Sequence, residues 1–139
     1  MINLRKANQN DCEKILKILK EVDLYYASLS LENFYVAEKN HQIIGTVQLT
    51  AYENYLFLAC LAVTAREQKN GTGKIILDNI LLKAPKDIYL YTIIPEFFKK
   101  FGFKIMAEPP FNLPSKDHYD CEDCHTDKCV TMVRKTNAA

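Results

Sequence analysis

The run Gln68-Lys69-Asn70-Gly71-Thr72-Gly73-Lys74 brings together the residue types that hold a phosphate. Glycines at 71 and 73 remove side chains that would keep an anion away from the backbone. Helical periodicity starts directly after them, through Ile75, Ile76, Asn79, Ile80 and Leu82, and stops near Ala84-Pro85. A helix start presents unpaired N–H groups at the positive end of its dipole, and Lys69 and Lys74 add charge, so this chemistry suits a diphosphate. Spacing excludes two familiar nucleotide loops. A Walker loop needs a glycine five residues before Gly-Lys-Ser/Thr, but position 68 is Gln and Ile75 follows Lys74. A dinucleotide fingerprint needs a third glycine where Ile76 stands.

A second group with chemistry lies near the C-terminus. Cys121-x-x-Cys124, with Cys129 five residues on, has part of the spacing of a zinc site, and His125 or His118 could be a fourth ligand. A zinc clip, a reactive thiol pair and a reduced loop without function all remain open, so no metal ligand is assigned. A clip would make sense physically, because it would close a long loop between two strands.

These groups must be carried by a scaffold, and 139 residues fit one domain, 1–139, with the cysteines on a loop at 108–129. The net charge of +1 gives no electrostatic case for nucleic acid or an anionic membrane as partner. No apolar run reaches the ~20 residues of a membrane span, and the N-terminus lacks the apolar stretch of a signal peptide, so the expected compartment is the cytoplasm.

Ile2–Ala7 reads as a strand. Asn10 or Asp11 then caps a helix whose apolar face is Ile15, Leu16, Ile18, Leu19 and Val22. Phe34–Lys39 and Gln42–Leu49 flank Asn40-His41 as a hairpin. Tyr55–Val63 is apolar almost throughout, as in a strand buried on both faces. After the glycine-bearing loop and its helix come a strand at Ile88–Thr92, a helix from Pro95 to a Gly102 cap, a strand at Phe103–Met106 and a last strand at Val130–Arg134. The order predicts an α/β domain with a mixed sheet and helices on its faces.

Gln68-x-x-Gly71-x-Gly73 after Leu61-Ala62-Val63, followed by Pro95 to Gly102-Phe103 some thirty residues later, resembles the GCN5-related N-acetyltransferases (GNAT) along nearly the whole chain. The resemblance implies a mostly antiparallel mixed sheet with a splayed pair of central strands and helices on both faces. It implies acetyl-CoA as co-substrate and direct attack of a small-molecule primary amine on the thioester. The pantetheine would pair with the backbone of Leu61, Ala62 and Val63. Gln68, Lys69, Asn70, Gly71, Thr72, Gly73 and Lys74 would hold the diphosphate, and Phe98 would pack against the pantetheine or the core. A homodimer is compatible with the family.

Two departures bear on catalysis. Many relatives carry Tyr where Phe98 stands, as proton donor to the leaving thiolate, and Glu on the central strand where Phe57 and Ala59 stand. The catalytic base is therefore unassigned, with Glu53, Tyr55, Cys60 and His118 as candidates. A non-catalytic CoA-binding sensor is the alternative. The tail Leu113-Pro114, Asp120-Cys121, Cys124, Cys129 and Met132 is similar to that of short stand-alone amino-acid acetyltransferases related to N-acetylglutamate synthase.

Overall fold

The computed structural model describes residues 2–22, 24, 30–82, 84–108, 113 and 130–135. The cysteine group at 121, 124 and 129, with His118 and His125, lies outside the described residues. Among the described residues the chain forms seven strands: β1 (Asn3–Lys6), β2 (Phe34–Lys39), β3 (Gln42–Ala51), β4 (Leu56–Val63), β5 (Ile88–Thr92), β6 (Lys104–Ile105) and β7 (Val130–Arg134). Three α-helices accompany them: α1 (Cys12–Glu21), α2 (Thr72–Leu82) and α3 (Pro95–Lys99). The sheet is mixed, in the order β1-β2-β3-β4-β5-β7-β6. Among the described residues β4 and β5 pair in parallel, and α2 lies in the crossover connection that such a pair needs. No helix among the described residues is long and apolar enough to cross a membrane.

The chain divides into two compact units. The first is built from the described residues within 1–25, 30–50 and 58–83. Here β1 pairs antiparallel with β2, and β2 with β3. Asn40 and His41 both have positive φ, 53° and 65°, the two-residue turn whose twist matches antiparallel arms. The core is the apolar face of α1 (Ile15, Ile18, Leu19), with Val36 and Ala37 of β2, Ile44 and Val47 of β3, and Ile76, Leu77 and Ile80 of α2. Asp11 stands at the N-cap of α1, one of the two expected positions, but its side chain makes no capping bond to α1. Asn8 takes part in a capping box with Asp11 on the 3₁₀ turn Gln9–Asp11, and α1 follows that turn. The Asp11 carboxylate is engaged by a bidentate contact from Arg5, at 2.8 and 3.0 Å, which holds it below the usual carboxylate range.

The second unit is built from the described residues within 51–57 and 84–139. Leu56 and Phe57, the start of β4, pair with Ile88 and Tyr89 of β5. β5 pairs antiparallel with β7 over all five residues, and β7 with β6. Leu90, Phe103 and Met132 are buried. α3 is shorter than its sequence suggests, ending at Lys99, because the chain enters a Schellman cap. The Gly102 N–H donates to the Lys99 carbonyl at 3.2 Å and the Phe103 N–H to the Phe98 carbonyl at 3.4 Å. The rings of Phe98 and Phe103 meet at 5.7 Å, the apolar contact this cap favours.

Candidate functional site

The phosphate-type loop belongs entirely to the first unit, between the end of β4 and α2. Its entrance is fixed to β3: the Thr64 N–H donates to the Ile44 carbonyl at 2.9 Å. A 3₁₀ turn, Ala65–Asn70, follows. Its start is capped from α1, since Glu21 Oε1 accepts from the Ala65 N–H at 2.7 Å and from Thr64 Oγ1 at 3.0 Å. These bonds hold the Glu21 carboxyl below its ordinary range. Glu67 is likewise held down, by Asn70 Nδ2 at 3.2 Å and Lys39 Nζ at 3.3 Å. The turn is therefore tied to α1 and β2 by carboxylates that themselves have partners.

The predicted loop residues divide by what they do. The side chain of Gln68 turns back, donating from Nε2 to the Val63 carbonyl at 3.0 Å, so it braces the loop against the strand end. Lys74 pairs with Asp78 one turn along its own helix, at 2.9 Å. Lys69 is exposed. Gly71 has φ +76°, a conformation other residues adopt at a cost of about 1–2 kcal/mol. A Cβ placed there would meet nothing within 4 Å, so the space above it is open. The Ile75 N–H closes the first turn onto the Gly71 carbonyl at 3.2 Å. By helix geometry the N–H groups of Thr72, Gly73 and Lys74, in the first turn of α2, have no intrahelical acceptor. Thr72 is fully buried, and its Oγ1 has no hydrogen-bond partner among the described residues.

Two features of this unit escaped the sequence reading. Cys60, in the middle of β4, has φ +53°, so the strand is kinked three residues before it ends. The kink turns the backbone of Leu61, Ala62 and Val63 relative to the strand before it. The Cys60 carbonyl accepts from Thr46 Oγ1 at 2.9 Å, and burial pushes the thiol up to about 12. A thiol so hard to ionise does not serve as a base near neutral pH. Gly45 lies within β3. A Cβ there would come within 2.6 Å of Ile76 Cδ1 and 3.0 Å of the Ala62 carbonyl oxygen. The glycine thus lets β3 seat against both β4 and α2, with no φ requirement to announce it.

The other candidates lie in the second unit. Phe98 is buried, edge-on to Phe97 at 5.1 Å and to Phe103. Tyr55 is also buried, stacked on Tyr52 at 4.9 Å and edge-on to Tyr89 at 5.4 Å, and its phenol is pushed up by burial and by the two neighbouring phenols. Glu53 is exposed, with its backbone carbonyl accepting from Lys86 Nζ at 3.1 Å. Phe57 is buried against Tyr91, at 5.0 Å.

A family model described as an acetyltransferase (GNAT) domain matches residues 30–105, more than half of the chain. Among solved structures, N-acetylglutamate synthase from Neisseria gonorrhoeae, complexed with coenzyme A and N-acetyl-glutamate, superposes with a TM-score of 0.79 at 20% identity over 99% of this chain. This chain spans 36% of that protein's length. An acetyltransferase of the GNAT family from Staphylococcus aureus gives 0.76 at 21% identity, covering 97% of this chain and 99% of that one. PaiA N-acetyltransferase from Thermoplasma acidophilum, in complex with coenzyme A, gives 0.70 at 18% identity, covering 98% and 99%. At these identities the likeness is one of fold.

Proposed function

Because the chain belongs to the GNAT acetyltransferase family, a family of acyl-CoA N-acyltransferases, we propose that it transfers an acetyl group from acetyl-CoA to a primary amine of a small molecule, an amino acid being the favoured class. The observation that carries the reading is the left-handed Gly71 with open space above it, set at the start of α2. A diphosphate would be held by backbone N–H groups from Gln68 to Gly73, with the helix dipole behind them. Lys69 supplies charge at the surface and has no salt bridge among the described residues, and Lys74 pairs with Asp78 instead. The kinked backbone of Leu61, Ala62 and Val63 would pair with the pantetheine. An N–H near Leu61 or Ala62 would stabilise the oxyanion formed as the amine attacks, and a fixed dipole needs no reorganisation to do so. Phe98 is assigned an apolar packing role, and the chain is read as a single acetyltransferase domain.

Support for the amino-acid class is the similarity of fold to N-acetylglutamate synthase together with the Leu113 to Met132 tail pattern. The test is thiol release from acetyl-CoA across amino acids, polyamines and other amines. Turnover with at least one of them is expected, and binding without turnover on any would sink the enzymatic reading. One observation favours a second reading, a CoA-binding sensor. Phe98 and Phe57 carry no ionisable group where relatives use Tyr and Glu, and both are buried in apolar surroundings. Tight acetyl-CoA binding with no acceptor would establish it.

A further inference from the structure

A hollow of about 310 Å³ in the first unit is lined by Lys14, His41, Gln42, Ile43 and Arg66. Its three basic side chains come from three elements: α1, the β2–β3 turn and the 3₁₀ turn that leads to Gly71. The geometry fixes two of them. His41 sits in the left-handed turn, and Arg66 is steadied by one bond, donating from Nη2 to Gln42 Oε1 at 2.9 Å. That bond uses one donor of a guanidinium that has five. The nearby carboxylates have other partners, Glu21 being taken by Thr64 and Ala65, and Glu67 by Asn70 and Lys39. Among the described residues neither Lys14, His41 nor Arg66 is in a salt bridge. Lys14 adds to the field that lowers the Glu21 carboxyl and Arg66 to the field that lowers Glu67, but among the described residues neither cation forms a salt bridge, so two cations and an imidazole surround one concavity. A planar guanidinium, a mobile ammonium and an imidazole around a hollow of this size match a phosphate monoester, which offers several acceptor oxygens and a double negative charge.

We propose that this hollow is a phosphate-monoester site, separate from the N–H groups assigned to the diphosphate. The proposal rests on the acetyl-CoA reading for one source of the ligand, the 3′-phosphate of the coenzyme's adenosine; the other source is a free phosphorylated metabolite. Lys14→Gln and Arg66→Gln, singly and together, remove charge from half-buried or exposed positions. Calorimetry with CoA and with 3′-dephospho-CoA, and phosphorus NMR line broadening with inorganic phosphate, read the result. If the coenzyme is the source, the wild-type protein binds CoA about tenfold more tightly than 3′-dephospho-CoA, and the double variant loses that difference. If the source is free, the two coenzymes bind alike, and the wild-type protein broadens the inorganic phosphate line more than the double variant does. Equal affinity for both coenzymes and identical phosphate broadening in wild-type and double variant would overturn the proposal. Failure of both coenzymes to bind would instead overturn the acetyl-CoA reading, and the inorganic phosphate arm would still decide on the hollow.

Discussion

Two glycines in this chain have left-handed backbone, Gly71 at φ +76° and Gly102 at φ +90°, each at the end of a helical segment, and their surroundings differ. Gly102 ends α3. Both bonds of its Schellman cap are made, Phe103 packs back onto Phe98, and the side chain of Arg134 lies 3.7 Å from where a Cβ would stand. At that turn the cap bonds and the ring contact are made within the described residues. Gly71 ends the 3₁₀ turn Ala65–Asn70 and directly precedes α2, with no atom within 4 Å of its would-be Cβ, helix-start N–H groups beside it, and a buried Thr72 hydroxyl without a partner among the described residues. The same conformational demand is closed by local bonds in one unit and left open in the other. A glycine signals that the backbone must bend; only the bonding around it says whether the bend serves the fold or a ligand.

The contrast is broken most severely at the open glycine. Gly71→Glu puts a carboxylate where the phosphates are assigned. Calorimetry should show acetyl-CoA affinity reduced more than about a hundredfold, with only about 1 kcal/mol of backbone strain in the melting curve. Gly45→Val tests the packing that supports the loop. Its side chain would overlap Ile76 and the Ala62 carbonyl, and urea unfolding should report a loss of about 3 kcal/mol. At the closed glycine, Gly102→Ala meets only ordinary contacts. It should cost about 1 kcal/mol in the same assay and leave acetyl-CoA affinity unchanged. Thr72→Val is the smallest effect and has the opposite sign. Removing a buried hydroxyl without a partner should raise stability by about 1 kcal/mol, with affinity within about threefold of the parent, since the side chain is closed off from solvent.

Much of the scaffold was legible because each element repeats a physical rule along its length. β5 at Ile88–Thr92 and β7 at Val130–Arg134 fall where the apolar, β-branched runs lie, and the hairpin turns at Asn40-His41. α2 begins at Thr72, directly after the glycine that the loop pattern singled out. Tertiary bonds were less legible. The side chain of Asp11 is an α1 cap by propensity, yet it is taken by Arg5 and by the N–H of Asn8. The kink at Cys60 has no sequence signal, since the residue is neither Gly nor Asn and stands in an unbroken apolar run. Glu21 is forty-four residues from the amide it caps, a separation no local pattern spans. In the loop, the pattern found the glycines, but it did not foresee that Gln68 and Lys74 would spend their side chains on the Val63 carbonyl and on Asp78.

The central claim concerns backbone amides, so they are the atoms to watch. In an amide-resolved NMR titration of the ¹⁵N-labelled protein with acetyl-CoA, the largest shifts should fall on Gln68 to Gly73, with Gly71 and Gly73 foremost and Gly102 unmoved. Saturable shifts that spare Gly71 and Gly73, or none at millimolar coenzyme, would contradict the account.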